Sequence, residues 1–108
     1  GHDQGDIVLK QVASLMQQKF RKDDLCCRYG GEEFIIIIPN SNPQQVYESA
    51  ERFRKEVEAH KIDNIGNITI SIGIASWPLS SNNIQEVFKI ADNNLYKAKN
   101  EGRNCVCF

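Results

Sequence analysis

Apolar residues recur along this chain with two different periods, and the switches between them mark its elements. From Asp6 onward, Ile7, Leu9, Val12, Ala13, Leu15, Met16 and Phe20 keep one apolar side through Gln17-Gln18-Lys19. That spacing predicts a first helix with Asp6 as its cap. Two strand-like runs follow, Leu25-Cys26-Cys27-Arg28-Tyr29 and Phe34-Ile35-Ile36-Ile37-Ile38, joined by Gly30-Gly31-Glu32-Glu33. A Gly-Gly link predicts a β-hairpin, because the tight turns that match strand twist need positive φ, which glycine adopts freely. Pro39-Asn40-Ser41-Asn42-Pro43 reads as a loop ending in a helix start, with Asn42 as N-cap and Pro43 in the first turn. The second helix carries Val46, Ala50, Phe53 and Val57 on one side and Glu48, Glu51, Arg52, Lys55 and Glu58 on a solvated side. After a polar connection from Lys61 to Gly66, Asn67 to Trp77 alternates Ile68, Ile70, Ile72 and Ile74 with Thr69, Ser71, Gly73 and Ala75, the period of a strand. Trp77-Pro78 ends that strand, and Ser80-Ser81-Asn82-Asn83 leads into a third helix whose buried face is Ile84, Val87, Phe88, Ala91, Leu95 and Ala98. Gly102 terminates this helix, and Cys105-Val106-Cys107-Phe108 reads as a short last strand.

The order is helix, two hairpin strands, helix, strand, helix, strand. Ile35 to Ile38 is apolar without alternation, as in a central strand covered on both faces by helices. The expected fold class is therefore α/β, an α+β sandwich on a largely antiparallel sheet. With 108 residues the chain forms one domain, 1–108, with room for one core. A net charge of −1 excludes a general electrostatic grip on nucleic acid or membrane, so any phosphate ligand must meet individually placed cations. No apolar stretch reaches the length of a membrane span and none reads as a signal peptide, while upstream targeting or membrane segments stay open. The cysteines Cys26, Cys27, Cys105 and Cys107 lack the two-residue gap that lets a loop wrap a tetrahedral zinc. Adjacent Cys26 and Cys27 point to opposite faces of a strand, and Cys105 and Cys107 to the same face. Buried free thiols acting as small hydrophobes, in a reducing cytoplasm, fit this usage.

Candidate chemistry gathers at the hairpin. Glu32 and Glu33 sit at its lip, beside glycines that leave room for a close approach. Paired carboxylates are hard oxygen ligands of the sort Mg²⁺ uses when phosphates also hold it; a plain exposed hairpin turn is the competing reading. Lys99 and Arg103 lie near the end of the last helix, where cations also serve to offset the helix dipole. Arg21-Lys22-Asp23-Asp24 is either a charged loop or a site, and arginine can hold a guanine edge and a phosphate together. His2 and His60 have no partner in the sequence for general-base work.

Four blocks in order carry a resemblance: Gly1-His2-Asp3-Gln4-Gly5-Asp6, Arg28-Tyr29-Gly30-Gly31-Glu32-Glu33-Phe34, Thr69-Ile70-Ser71-Ile72-Gly73-Ile74-Ala75, and Ala91-Asp92-Asn93-Asn94-Leu95-Tyr96-Lys97-Ala98-Lys99-Asn100-Glu101-Gly102-Arg103-Asn104. Together they resemble the GGDEF family, the catalytic domains of diguanylate cyclases, over essentially the whole chain. The resemblance implies a ferredoxin-like core akin to the polymerase palm and the class III nucleotidyl cyclases. It also implies that each domain binds one GTP, and that two domains face each other as a homodimer to close cyclic di-GMP and release pyrophosphate. Mg²⁺ or Mn²⁺ is the implied cofactor. Glu32 matches the motif's metal-binding carboxylate, and Glu33 the acidic position implicated in metal binding and in activating the attacking hydroxyl. Gly30 and Gly31 match the glycines against which the nucleotide lies. Asp6 matches the guanine-reading carboxylate, and Lys99 and Arg103 the triphosphate-binding pair. Arg21 and Asp24, an Arg-x-x-Asp that ends five residues before Gly30, match the inhibitory product site, to which Arg52 would add a further arginine.

The family pattern begins earlier, with a strand carrying a metal-binding Asp and then a Phe-Lys…Asn-Asp stretch, and this chain starts after it. The expectation is thus a domain lacking its first strand, with central strands short of a partner, and inactive by itself as a cyclase. An upstream sensory or regulatory domain is expected as a partner. The alternative function is a catalytically inactive GGDEF domain acting as a cyclic di-GMP or GTP receptor, and a weaker one is a structural module for dimerisation.

Overall fold

The computed structural model describes residues 2–108, with backbone only for His2 and Asp3. Gly1, part of the opening block, lies outside the described residues. In chain order the elements are α1 (His2–Lys19), β1 (Leu25–Gly30), β2 (Glu33–Pro39), α2 (Pro43–Ala59), β3 (Ser71–Trp77), α3 (Ile84–Asn100) and β4 (Val106–Cys107). The strands form one sheet in the order β1-β2-β3-β4. The sheet is mixed rather than largely antiparallel: only the hairpin pair β1–β2 is antiparallel, while β2–β3 and β3–β4 are parallel. The cause is connectivity. α2 and α3 each carry the chain back to the end of the sheet where the previous strand began, and a strand entering there runs parallel to it. The expected shortage of partners is seen on one side only: β2 is paired along both edges, whereas β3 lacks a strand partner beyond Gly73, where the two-residue β4 stops.

Uninterrupted apolar sequence in β2 follows from helices on both faces. One layer packs α1 and α2 against the sheet through Val12, Phe34, Ile36, Phe53, Ile72 and Ile74. The other packs α3 against Ile35, Ile37 and Ala75 through Val87, Ala91 and Leu95. Phe53 stands edge-on to Phe20 at 5.5 Å and to Phe34 at 6.0 Å, fixing α2 over the hairpin. Burying such side chains stabilises by about 1.5–3 kcal/mol each, far more than any surface ion pair contributes.

Alternation in β3 is large against small rather than apolar against polar, and both of its faces are buried. Its small side faces α3. A Cβ on Gly73 would stand 2.2 Å from both the Ala91 carbonyl oxygen and the Leu95 amide nitrogen. Only glycine permits this approach, and the approach sets how far α3 reaches over β2. Beyond the short β4, side chains finish the outer edge of β3. Asn94 Nδ2 donates to the Ile74 carbonyl at 2.9 Å, and the Ser76 amide donates to Ser80 Oγ at 3.0 Å. The Ser80 amide returns a bond to the Ser76 carbonyl at 3.0 Å.

Helix α2 begins as its sequence predicts, with Asn42 as N-cap and Pro43 in the first turn, and Gln45 completes a capping box that the sequence reading did not foresee. Helix α1 begins earlier than predicted, at His2, so Asp6 is an interior residue and caps nothing. Ile7, Leu9 and Ile84 were expected on buried faces and are exposed, at 43%, 42% and 48%. Asn67–Ile70 precedes β3 without joining its ladder, although Ile70 is buried. Cys26 and Cys27 do point to opposite faces, one toward each core layer. Burial, with Asp24 and Cys27 adding to it, pushes the Cys26 thiol up to about 12, so it stays protonated and packs as a small apolar group.

Candidate functional site

The hairpin turn is the two residues Gly31 and Glu32. Neither Gly30 nor Gly31 occupies the left-handed region, so the expected positive φ is not why they are glycines. Irregular register between Arg28 and Gly30 adjusts the strand instead. At Gly30 the reason is space: a Cβ there would meet the Glu33 carboxyl group at 3.3 Å. Arg28 clamps the turn, donating from Nε and Nη2 to the Gly31 carbonyl at 3.1 and 2.9 Å. The Glu32 carbonyl accepts from the Ser71 amide at 2.8 Å, tying the turn to the start of β3.

Folded over Gly30, the Glu33 carboxylate meets both cations from the end of α3. Lys99 Nζ lies 3.1 Å from its Oε1, and Arg103 Nη1 lies 3.6 Å from its Oε2. The three side chains are partly to mostly exposed, so the pairing stabilises by only about 1 kcal/mol or less. Its value is positional, because it holds two cations and a carboxylate at one spot. Glu33 and Lys99 line a depression of about 210 Å³ together with Tyr29, Asp92, Leu95 and Tyr96. Glu32, next door, is exposed and enters no ion pair among the described residues.

Helix α3 ends in a Schellman turn, in which the Arg103 amide donates to the Ala98 carbonyl at 3.0 Å across Gly102 at φ 106°. Arg103 and Asn104 then continue in the left-handed region at φ 64° and 48°. For Arg103 that conformation costs roughly 1–2 kcal/mol. Asn104 offsets it: its amide donates to Ser71 Oγ at 3.1 Å, its Nδ2 to Glu58 Oε2 at 2.6 Å, and its Oδ1 accepts from Arg54 Nη1 at 2.8 Å. Arg54 is fixed in turn by Glu51 at 2.5 and 3.2 Å, a two-pronged contact that holds the Glu51 carboxyl below its ordinary range.

Arg21, Asp24 and Arg52 come together elsewhere. They line a groove of about 660 Å³ between the α1–β1 loop, the end of β2 and the start of α2. Asp24 Oδ2 accepts from the Arg21 amide at 2.8 Å, which closes the loop and leaves the Arg21 guanidinium outside that bond.

A family model described as "Diguanylate cyclase, GGDEF domain" matches residues 1–105. The chain belongs to the GGDEF family. It is 41% identical to Diguanylate cyclase A of Treponema denticola over 98% of its own length and 29% of that protein's. Among solved structures it resembles the active GGEEF domain of a Vibrio cholerae diguanylate cyclase, with a TM-score of 0.83, 35% identity, and coverage of 99% of this chain and 69% of that one. It also resembles the GGDEF domain of DgcB from Caulobacter crescentus, solved in complex with c-di-GMP, with a TM-score of 0.76, 32% identity, and coverage of 99% and 66%. The chain thus spans less than a third of the length of that Treponema denticola protein.

Within this GGDEF fold the predicted residues fall into three places. Glu33, Lys99 and Arg103 are joined, with Gly30, Gly31 and Glu32 beside them. Arg21, Asp24 and Arg52 share the groove. Asp6 stands apart, exposed on α1 and in no ion pair among the described residues. For a metal, the hairpin offers the carboxylates of Glu32, in no ion pair among the described residues, and Glu33, paired with Lys99 and Arg103. Both are hard oxygen donors of the type that suits a divalent cation also held by water and phosphates. Sequence reading missed Arg28 as the clamp of the turn and missed Arg54, Glu58 and Asn104 as the support of Arg103. Glu51 and Glu58, expected on a solvated face, are half-buried parts of that support.

Proposed function

We infer that this chain is the larger part of a diguanylate cyclase domain, which condenses two GTP into cyclic di-GMP and pyrophosphate across a homodimer of domains. The observation that carries the reading is Glu33 holding Lys99 and Arg103 beside the open Glu32 carboxylate, in a chain of the GGDEF family. Lys99 and Arg103 would bind the triphosphate, with Arg103 able to grip two oxygens through its planar fork. Gly30 and Gly31 leave the nucleotide space against the turn. Glu32 and Glu33 would hold the divalent cation, which supplies charge neutralisation on the phosphates when bound. Glu33, whose carboxylate accepts from Lys99, would also take the proton of the attacking hydroxyl. Asp6 would read guanine only from a nucleotide that extends toward α1.

Two carboxylates supply only part of a six-oxygen shell, so the 108-residue chain alone is expected to bind GTP weakly and turn it over little. Calorimetry with GTP and Mg²⁺, and chromatography for cyclic di-GMP in a polypeptide carrying the whole domain, test the reading. Lys99→Ala and Arg103→Ala should each weaken GTP binding about tenfold or more, the loss of one charge-assisted contact. Glu32→Gln and Glu33→Gln should each abolish product while leaving the fold intact. Binding indifferent to the cations, or turnover near the parent rate in either glutamine variant, overturns the assignment.

The separate Arg21–Asp24–Arg52 groove favours a second role, binding of cyclic di-GMP. In an active domain that gives feedback inhibition, and in an inactive one a receptor. Turnover decides between them. A reducing cytoplasm and an additional sensory or regulatory domain complete the proposal.

A further inference from the structure

We propose that Glu101, Cys105 and Cys107 form a binding site for one thiophilic divalent cation of the zinc type. The pattern Cys-x-Cys alone supplies two sulfurs on one strand face. The Schellman turn after α3 adds the third ligand by bringing Glu101 back over them. Cys105 Sγ, Cys107 Sγ and a Glu101 carboxylate oxygen all lie within 4.8 Å of one another. Tetrahedral zinc, with sulfur at about 2.3 Å and oxygen at about 2.0–2.2 Å, needs ligand-to-ligand edges of roughly 3.4–3.8 Å. One edge is already close to this, since Cys107 Sγ donates to Glu101 Oε2 at 3.2 Å. Cys105 Sγ, now bonded to the Ala98 carbonyl at 3.5 Å, would leave that bond and move closer to close the others.

A bound cation would displace the proton that Cys107 Sγ now donates to Glu101 Oε2. Two thiolates select a soft or borderline ion over Mg²⁺, which separates this site from the all-oxygen pair Glu32 and Glu33. Three protein ligands leave a fourth corner for water. Cys26 and Cys27 lie on β1, at the opposite edge of the sheet, and cannot contribute. The ligands bracket Gly102, Arg103 and Asn104, so a bound ion would staple the left-handed turn that aims Arg103 at Glu33. The site itself requires no nucleotide, and its failure would leave the cyclase reading untouched.

Cobalt titration of the full chain, in a reductant without thiols, tests the proposal. One Co²⁺ per chain should bind with sulfur-to-cobalt charge-transfer absorption and intense tetrahedral visible bands, both bleached by Zn²⁺. Cys105→Ser should remove the charge-transfer band, and Glu101→Gln, at an exposed position that cannot unfold the chain, should weaken binding at least tenfold. The double change Cys26→Ser with Cys27→Ser should leave the spectrum unaltered. Zn²⁺ should raise the thermal midpoint of the parent and not that of Cys105→Ser. Absence of the sulfur-to-cobalt band, its survival in both Cys105→Ser and Glu101→Gln, or its loss in the Cys26/Cys27 variant overturns the site.

Discussion

The Glu33 cluster and the Arg21 groove are both built from basic side chains and carboxylates, yet they are held in different ways. At the cluster, backbone fixes everything. The hairpin register places Glu33, Gly73 lets α3 approach, and consecutive left-handed residues aim Arg103. Charge there is paired internally before any ligand arrives. The groove is lined by a loop closed by two backbone-amide bonds between Arg21 and Asp24, with its arginines on different elements. A preorganised constellation suits chemistry that tolerates little displacement. An open groove with uncommitted guanidinium groups suits recognition of a ligand that brings its own phosphates.

The largest blow to this contrast should come from Gly73→Ala. With Ala91 and Leu95 backbone only 2.2 Å from the new Cβ, α3 must lift off β3. The expected loss is about 3 kcal/mol or more, at the upper end for overpacking, read as a lower urea midpoint. GTP binding should fall with it, while any folded fraction should keep cyclic di-GMP affinity at the groove. An unshifted midpoint would show that α3 is not seated as described.

Asn104→Ala comes next. It removes the two side-chain bonds that support the turn and leaves Arg54 and Glu58 short of partners, at an expected cost of roughly 1–3 kcal/mol. Affinity for GTP should drop although Asn104 touches no phosphate, and affinity for cyclic di-GMP should not. Equal losses at both sites would erase the distinction.

Arg21→Ala is the converse probe. It should weaken cyclic di-GMP binding about tenfold or more, the scale of one charged contact, with stability and GTP binding unchanged. Unchanged affinity would return 21–24 to the status of a charged loop.

The smallest effect expected is on acid stability. The hydrogen bonds from Arg54 hold Glu51 below its ordinary pKa, so its contribution is present above the unfolded value of about 4.3 and is lost as pH falls through the lower folded value. Glu51→Gln should therefore lower the urea midpoint slightly at pH 7, with the gap to the parent closing below pH ~4. A gap that is constant with pH would mean that Glu51 acts by packing alone.

Much of this was legible in the sequence because it is local. The N-cap at Asn42, the terminator at Gly102 and the helical spacing of α2 are signals spanning a few residues, and all three stand. The opposite faces of Cys26 and Cys27 followed from strand geometry alone. What escaped depends on pairs distant in sequence. Nothing near Glu33 announces Lys99, 66 residues on, and nothing near Arg54 announces Asn104, 50 residues on. Only the family pattern linked the first pair, and nothing linked the second. Strand direction was misjudged because alternation reports which face a residue occupies, not which way its neighbour runs. Gly73 did carry a signal, since a glycine within an isoleucine-rich strand marks a close approach by other backbone.

The side-chain closure of β3 bears on how copies of this protein can meet. Strand β4 covers only Ile72 and Gly73, which would ordinarily leave a template for another chain. Asn94 and Ser80 occupy the groups that an added strand would need at Ile74 and Ser76. Two polar residues, one on α3 and one in the preceding loop, thus act as an insulator along that border. Sheet-to-sheet fusion is discouraged there.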